Sequence, residues 1–202
     1  MFLEPVDTVC EEIEIKKSKF ISWAKKVLSR QDAMDFVLEL RAQYPDARHV
    51  CWGYLIGDPN NSTNSGCNDD GEPSGTAGKP ILSQINYSNI GNVVVVTVRY
   101  FGGIRLGAGG LVRAYRESAQ KALQALKTEE YTPLIDVTLL CSFNEENHLR
   151  RLVESLSGQI TDAQYKTEVA LTVKLPEKSK IKLTQSLAGF SVEVIFKDRT
   201  TS

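Results

Sequence analysis

Five of the chain's fourteen glycines fall within the nine residues 102–110, and arginines stand on both sides of them. Gly102, Gly103, Gly107, Gly109 and Gly110 tolerate positive φ and let a ligand come close to the main chain. Arg99 precedes the cluster, Arg105 lies inside it, and Arg113 and Arg116 follow. From Arg99 to Lys127 six basic residues stand against one acid, Glu117. Free amides at a helix start favour an anion, and guanidinium groups fork onto phosphate oxygens. The pattern therefore describes a phosphate- or nucleic-acid-binding unit made of Arg99, Gly102, Gly103, Arg105, Gly107, Gly109, Gly110, Arg113 and Arg116. A tight strand-to-helix connection with solvated arginines would use the same residues, so both readings stand. A dinucleotide fingerprint is excluded, because Val112 occupies the place of the third glycine. A Walker loop is excluded at Gly78-Lys79, where Pro80 follows and Pro73 replaces the leading glycine.

A second constellation is acidic. Asp69, Asp70 and Glu72 place three carboxylates within four residues. They repel one another unless they are solvated, paired with cations or metal-bound. As hard oxygen ligands they would suit Mg²⁺, the one cofactor suggested by residue type. Pairing with the nearby arginines, or capping of backbone amides, would also satisfy them. His49 and Cys51, two apart on an expected strand, share a face. A Cys–His nucleophile needs such proximity together with an orienting third group, and none is evident, so no catalytic residue is assigned. Trp23, Trp52, Tyr54, Tyr100 and Phe101 are able to stack on bases, although strand aromatics commonly fill cores.

The elements that must position these groups can be read from periodicity. Val6–Ile15 and Phe20–Leu28 form an expected hairpin. Ser29 opens a helix with Asp32 in a capping box, and Pro45 closes it. Arg48–Ile56 reads as a strand, and Gly57–Lys79 as a long aperiodic loop. A short helix begins at Pro80. Asn92–Val98 is a β-branched strand expected to be buried on both faces, and Leu111–Leu126 an amphipathic helix. After Thr132-Pro133 the pattern restarts as βαββαβ, the ferredoxin-like order. We therefore expect two domains, residues 1–132 and 133–202.

Bulk composition limits the function classes. The 202 residues carry a net charge of −1, with 42% hydrophobic and 24% charged side chains. Wholesale disorder and a bulk polycation are excluded. Four cysteines outside any C-x-x-C pair, with two histidines, argue against structural zinc. The start has no leader-like pattern, and the greasiest run, Val93–Val98, is too short to span a bilayer. The expectation is a cytoplasmic protein without a membrane partner.

The segments DDGEPSGTAGKPIL at 69–82 and VRYFGGIRLGAGGLVRAY at 98–115 closely resemble motifs of the IMPACT family, in particular its bacterial members. KKSKFI at 16–21 and Arg48-His49-x-Cys51 look like further motifs of that family. The resemblance implies an α+β fold. Its N-terminal part is a two-layer α/β sandwich similar to the second domain of a small-subunit ribosomal protein. Its C-terminal domain is ferredoxin-like, similar to domain V of elongation factor G. It also implies a link to translation, because the eukaryotic IMPACT protein regulates translation. Three functions follow as expectations. The first is a non-enzymatic protein that binds RNA or the ribosome and modulates translation through the Gly/Arg unit. The second is a Mg²⁺-assisted hydrolase of a small phosphorylated substrate. The third is an adaptor for a protein partner.

Overall fold

The computed structural model describes residues 2–61 and 63–197. The chain divides between Tyr131 and Thr132 into two compact units. In the first, strands β1 (Leu3–Pro5), β2 (Val9–Ile15) and β3 (Ser18–Lys26) precede helix α1 (Arg30–Gln43). Then come β4 (His49–Ile56), β5 (Asn64–Asn68), α2 (Gly78–Tyr87), β6 (Val93–Tyr100), α3 (Ala108–Ala125) and β7 (Thr128–Glu130). The main sheet is antiparallel in the order β2-β3-β6-β4-β5, and β1 pairs separately with β7.

Strand β6 is central, and its valines divide two cores. Val93 and Val95 pack with Ile81 and Ile85 of α2 and with Leu111, Ala114 and Ala119 of α3. Val94, Val96 and Val98 pack on the other face with Phe36, Val37 and Leu40 of α1. Each fully buried valine contributes roughly 1.5–3 kcal/mol. The helices thus cover both faces, and α1 adds a third layer to the expected two-layer sandwich. Its capping box forms as the sequence predicts, with Asp32 N donating to Ser29 Oγ and Ser29 N to Asp32 Oδ2.

Small residues let α3 lie close to the sheet. Ala114, Ala119 and Ala122 are fully buried. The Ser22 hydroxyl bonds both Thr97 Oγ1 and Ser118 Oγ at 2.7 Å, tying β3, β6 and α3 together inside the core. A buried hydroxyl left alone would cost about 1–3 kcal/mol, so this satisfied trio fixes the helix in one position.

The second unit contains β8 (Leu134–Cys141), α4 (Glu146–Ser155), β9 (Gln159–Tyr165), β10 (Val169–Pro176), α5 (Lys180–Ser186) and β11 (Glu193–Phe196). Its antiparallel sheet runs β11-β8-β10-β9, the ferredoxin-like arrangement. Val137, Leu139, Leu171 and Val173 meet Leu149, Val153 and Leu183 in its core. Among the described residues no helix is long and apolar enough to cross a membrane.

Four elements depart from the sequence expectation. The polar run 57–79 contains β5, whose residues NSGCN carry no apolar alternation; pairing with Trp52–Ile56 makes it a strand. The short β1 and β7 pair with each other, and Leu3 of β1 also bridges to Ile90. Helix α3 starts at Ala108 rather than Leu111, so Gly109 and Gly110 form its first turn.

Candidate anion-binding cleft

A cleft of about 570 Å³ opens where β4, β6 and the start of α3 meet. His49 and Arg99 are direct cross-strand partners on β4 and β6, so their side chains leave the sheet on one face. Both line the cleft, with Asp46, Arg48, Glu72, Phe101, Arg105, Gly107, Ala108 and Leu111 among its other walls. The N-terminus of α3 faces this space without a side-chain cap and without an acid in its first turn. Its first intrahelical bond runs from Leu111 N to Gly107 O, which leaves the amides of Ala108, Gly109 and Gly110 ahead of it.

Arg99 is 7% exposed. Its Nη1 donates to Glu72 Oε1 at 2.6 Å, and its guanidinium carbon lies 5.8 Å from the Phe101 ring centre. Its Nε is buried and has no hydrogen-bond partner among the described residues. An unpaired guanidinium nitrogen is costly in the interior, and the side chain that carries it lines the cleft. Glu72 Oε1 also accepts from the Tyr115 hydroxyl at 2.8 Å, so an ion pair and a phenol fix the base of the site.

The acidic segment closes the other side. Asp69 accepts from the amides of Gly75, Ala77 and Gly78 at 2.7–3.0 Å and so caps α2 from outside the helix. Burial pushes its carboxyl up, but these three donors, with Lys79, outweigh burial and hold it below the usual carboxylate range. Asp70 accepts from Val50 N at 2.6 Å and from Arg41 at 2.8 Å. The three carboxylates therefore diverge: one caps a helix, one binds a strand edge and Arg41, and one pairs with Arg99. Among the described residues no group of three or more His, Cys, Asp or Glu could hold a metal ion. Asp69, Asp70 and Glu72 as placed do not fit a Mg²⁺ site.

The His49 ring Nδ1 lies 2.9 Å from the Asp70 carbonyl oxygen. A carbonyl only accepts, so Nδ1 carries the proton and Nε2 is the remaining polar atom of the ring. Cys51 is fully buried, 3.0 Å from the Asp69 carbonyl, and burial drives its thiol far above the ordinary range. It is a packed thiol, not a poised nucleophile.

The glycines separate into two roles. Gly102 is structural, since a Cβ there would stand 1.9 Å from the Lys17 carbonyl carbon. It lets the left-handed Lys16-Lys17 turn pack against the loop. Gly103 and Gly107 have φ of 85° and 73° with open space around them, and a Cβ on Gly110 would press on Leu106. Gly109 also faces open space. Of the arginines expected to act together, Arg99 and Arg105 line the cleft; Arg113 and Arg116 are exposed further along α3 and do not. Arg48, just before β4, joins them instead; the sequence offered it only as part of the Arg48-His49-x-Cys51 motif. Of the aromatics, Trp23, Trp52, Tyr54 and Tyr100 pack with the α1 core, while Phe101 is 57% exposed at the cleft.

The family model of the Impact N-terminal domain matches residues 16–123. The Escherichia coli (strain K12) protein named IMPACT family member YigZ is 41% identical over 190 residues, spanning 94% of this chain and 93% of that protein. An IMPACT family member from Haemophilus influenzae is 38% identical over 178 residues, or 88% of this chain and 86% of its own. A crystal structure described as a hypothetical protein is 38% identical, covers 98% of both chains and superposes with a TM-score of 0.75.

Proposed function

The chain belongs to the IMPACT family, and from that premise we propose that it is a non-enzymatic protein that binds RNA, free or within the ribosome, in a translation-related role. The phosphate sits in the cleft at the start of α3. The observation that carries this reading is the buried Arg99, whose Nε lacks a partner beside an uncapped helix N-terminus. Helix amides, dipole and guanidinium all favour the same ligand charge. Arg48 and Arg105 add positive charge at the walls, and Phe101 offers a face for a base.

A hydrolase that uses Asp69, Asp70 and Glu72 through Mg²⁺ has less support, because those carboxylates are already committed to backbone amides, Arg41 and Arg99. The test is fluorescence anisotropy with single-stranded and hairpin RNA across a salt series. Binding should weaken steeply with salt as counterions are released. Arg105→Gln should weaken it more than Arg113→Gln. Absence of binding at low salt, or equal affinity for wild type and the triple Arg99, Arg105 and Arg113 replacement, would overturn the proposal.

A further inference from the structure

The donor set of the cleft carries more than a general preference for phosphate. Resting on the phosphate reading above, we infer that the cleft takes a terminal phosphomonoester, the phosphorylated end of an oligoribonucleotide or a mononucleotide, in preference to an internal phosphodiester.

The first argument is stoichiometric. The amides of Ala108, Gly109 and Gly110 precede the first intrahelical bond of α3. Arg99 Nε is buried without a partner among the described residues. Arg105 is exposed on the cleft wall. A phosphodiester brings one negative charge and two non-bridging oxygens. A phosphomonoester brings a charge of about −1.5 to −2 near neutral pH and three strong acceptor oxygens. A monoester therefore offers a third acceptor oxygen and more negative charge to the helix amides and arginines, and gains more from them than a diester does.

The second argument is the distribution of charge. A groove that tracks a polynucleotide backbone places cations at successive positions along it. Here Arg113 and Arg116 lie outside the cleft, and Asp46 and Glu72 bring carboxylates into it. Discrimination thus depends on the amides at the start of α3 and the arginines of the cleft rather than on bulk attraction. A cleft of about 570 Å³ is on the scale of a single bound small molecule.

The third argument is what surrounds the phosphate. Phe101 stands at the wall with most of its ring exposed, where a terminal base can stack.

The test uses one octaribonucleotide sequence, labelled internally, with a 5′-hydroxyl, a 5′-phosphate or a 3′-phosphate. Binding is read by fluorescence anisotropy at about 0.1 M salt, with adenosine monophosphate as competitor. The protein is wild type or Gly109→Asp. Gly109 has nothing within 4 Å of a built Cβ, and a carboxylate in the first turn favours the helix while repelling a bound anion. Arg105→Gln, at an exposed position, is the second variant. An end-phosphorylated octamer should bind about tenfold or more tightly than the hydroxyl form, a difference that vanishes in Gly109→Asp and shrinks in Arg105→Gln. Whichever end gives the gain identifies the terminus recognised, and displacement by the mononucleotide at matching concentration assigns the site to free nucleotides. Equal affinity for all three octamers, with Gly109→Asp weakening them alike, would overturn the terminal preference and leave the phosphate reading intact. If none of the octamers binds, both are overturned.

Discussion

Arg99 Nη1 and Glu72 Oε1 stand 2.6 Å apart with both side chains buried, one from the central strand and one from the acidic loop. The pair fixes the cleft floor and holds the guanidinium so that Nε is left over. Removing one partner strands the other charge away from water. Glu72→Ala should therefore lower unfolding stability by about 3–5 kcal/mol, measured by urea denaturation. A loss below about 1 kcal/mol would mean that Arg99 finds another partner.

Tyr115 reaches the same carboxylate oxygen from α3 and sets its ring edge-on to Phe20. Tyr115→Phe keeps the ring and removes the donor. The expected cost is about 1–3 kcal/mol by thermal or urea unfolding, with the fold retained. An unchanged midpoint would show that Glu72 does not depend on the phenol.

Two glycines of the same cluster should respond in opposite directions. Gly102→Ala forces a methyl onto the Lys17 backbone and should destabilise by about 1–3 kcal/mol or more. Gly109→Ala has room and gains helix propensity, so it should stabilise by about 0.5–1 kcal/mol. Similar effects at the two positions would contradict the division of the cluster into packing and open glycines.

Asp69 links the acidic loop to pH. Its carboxyl is held below the usual range in the folded state, so its contribution is fully present above the unfolded value of about 3.9 and is lost as pH falls through the folded value. Asp69→Asn should lower stability at neutral pH by about 1 kcal/mol, as for other lost helix caps. The gap between wild type and variant should close as pH drops below about 4. A gap independent of pH would show that charge is not what holds the loop.

Much of the scaffold was legible from residue pattern because burial wrote it there. The valines of β6 alternate between two cores, and α3 shows its stripe at Leu111, Tyr115, Ser118 and Ala122. The Ser29–Asp32 cap is a local motif and formed locally. Strand β5 was illegible because NSGCN owes its conformation to β4, not to its own propensity. The start of α3 was placed late because glycines at 109 and 110 read as loop, yet Gly107 with φ of 73° begins the helix directly. The site was half legible. Gly107, Arg99 and Arg105 announced themselves by type and spacing. Arg48 and His49 stood out as a motif, but their place at the cleft shows only in the fold, and Asp69 hid its role because its partners lie six to nine residues ahead.

The most direct measurement is a titration of the ¹⁵N-labelled protein with inorganic phosphate, followed through amide and arginine Nε–H resonances. Saturable shifts confined to Ala108, Gly109, Gly110 and the Arg99 Nε–H are expected, and their loss in Gly109→Asp. Shifts centred instead on Arg113 and Arg116, or none at these amides, would contradict phosphate binding at the α3 N-terminus.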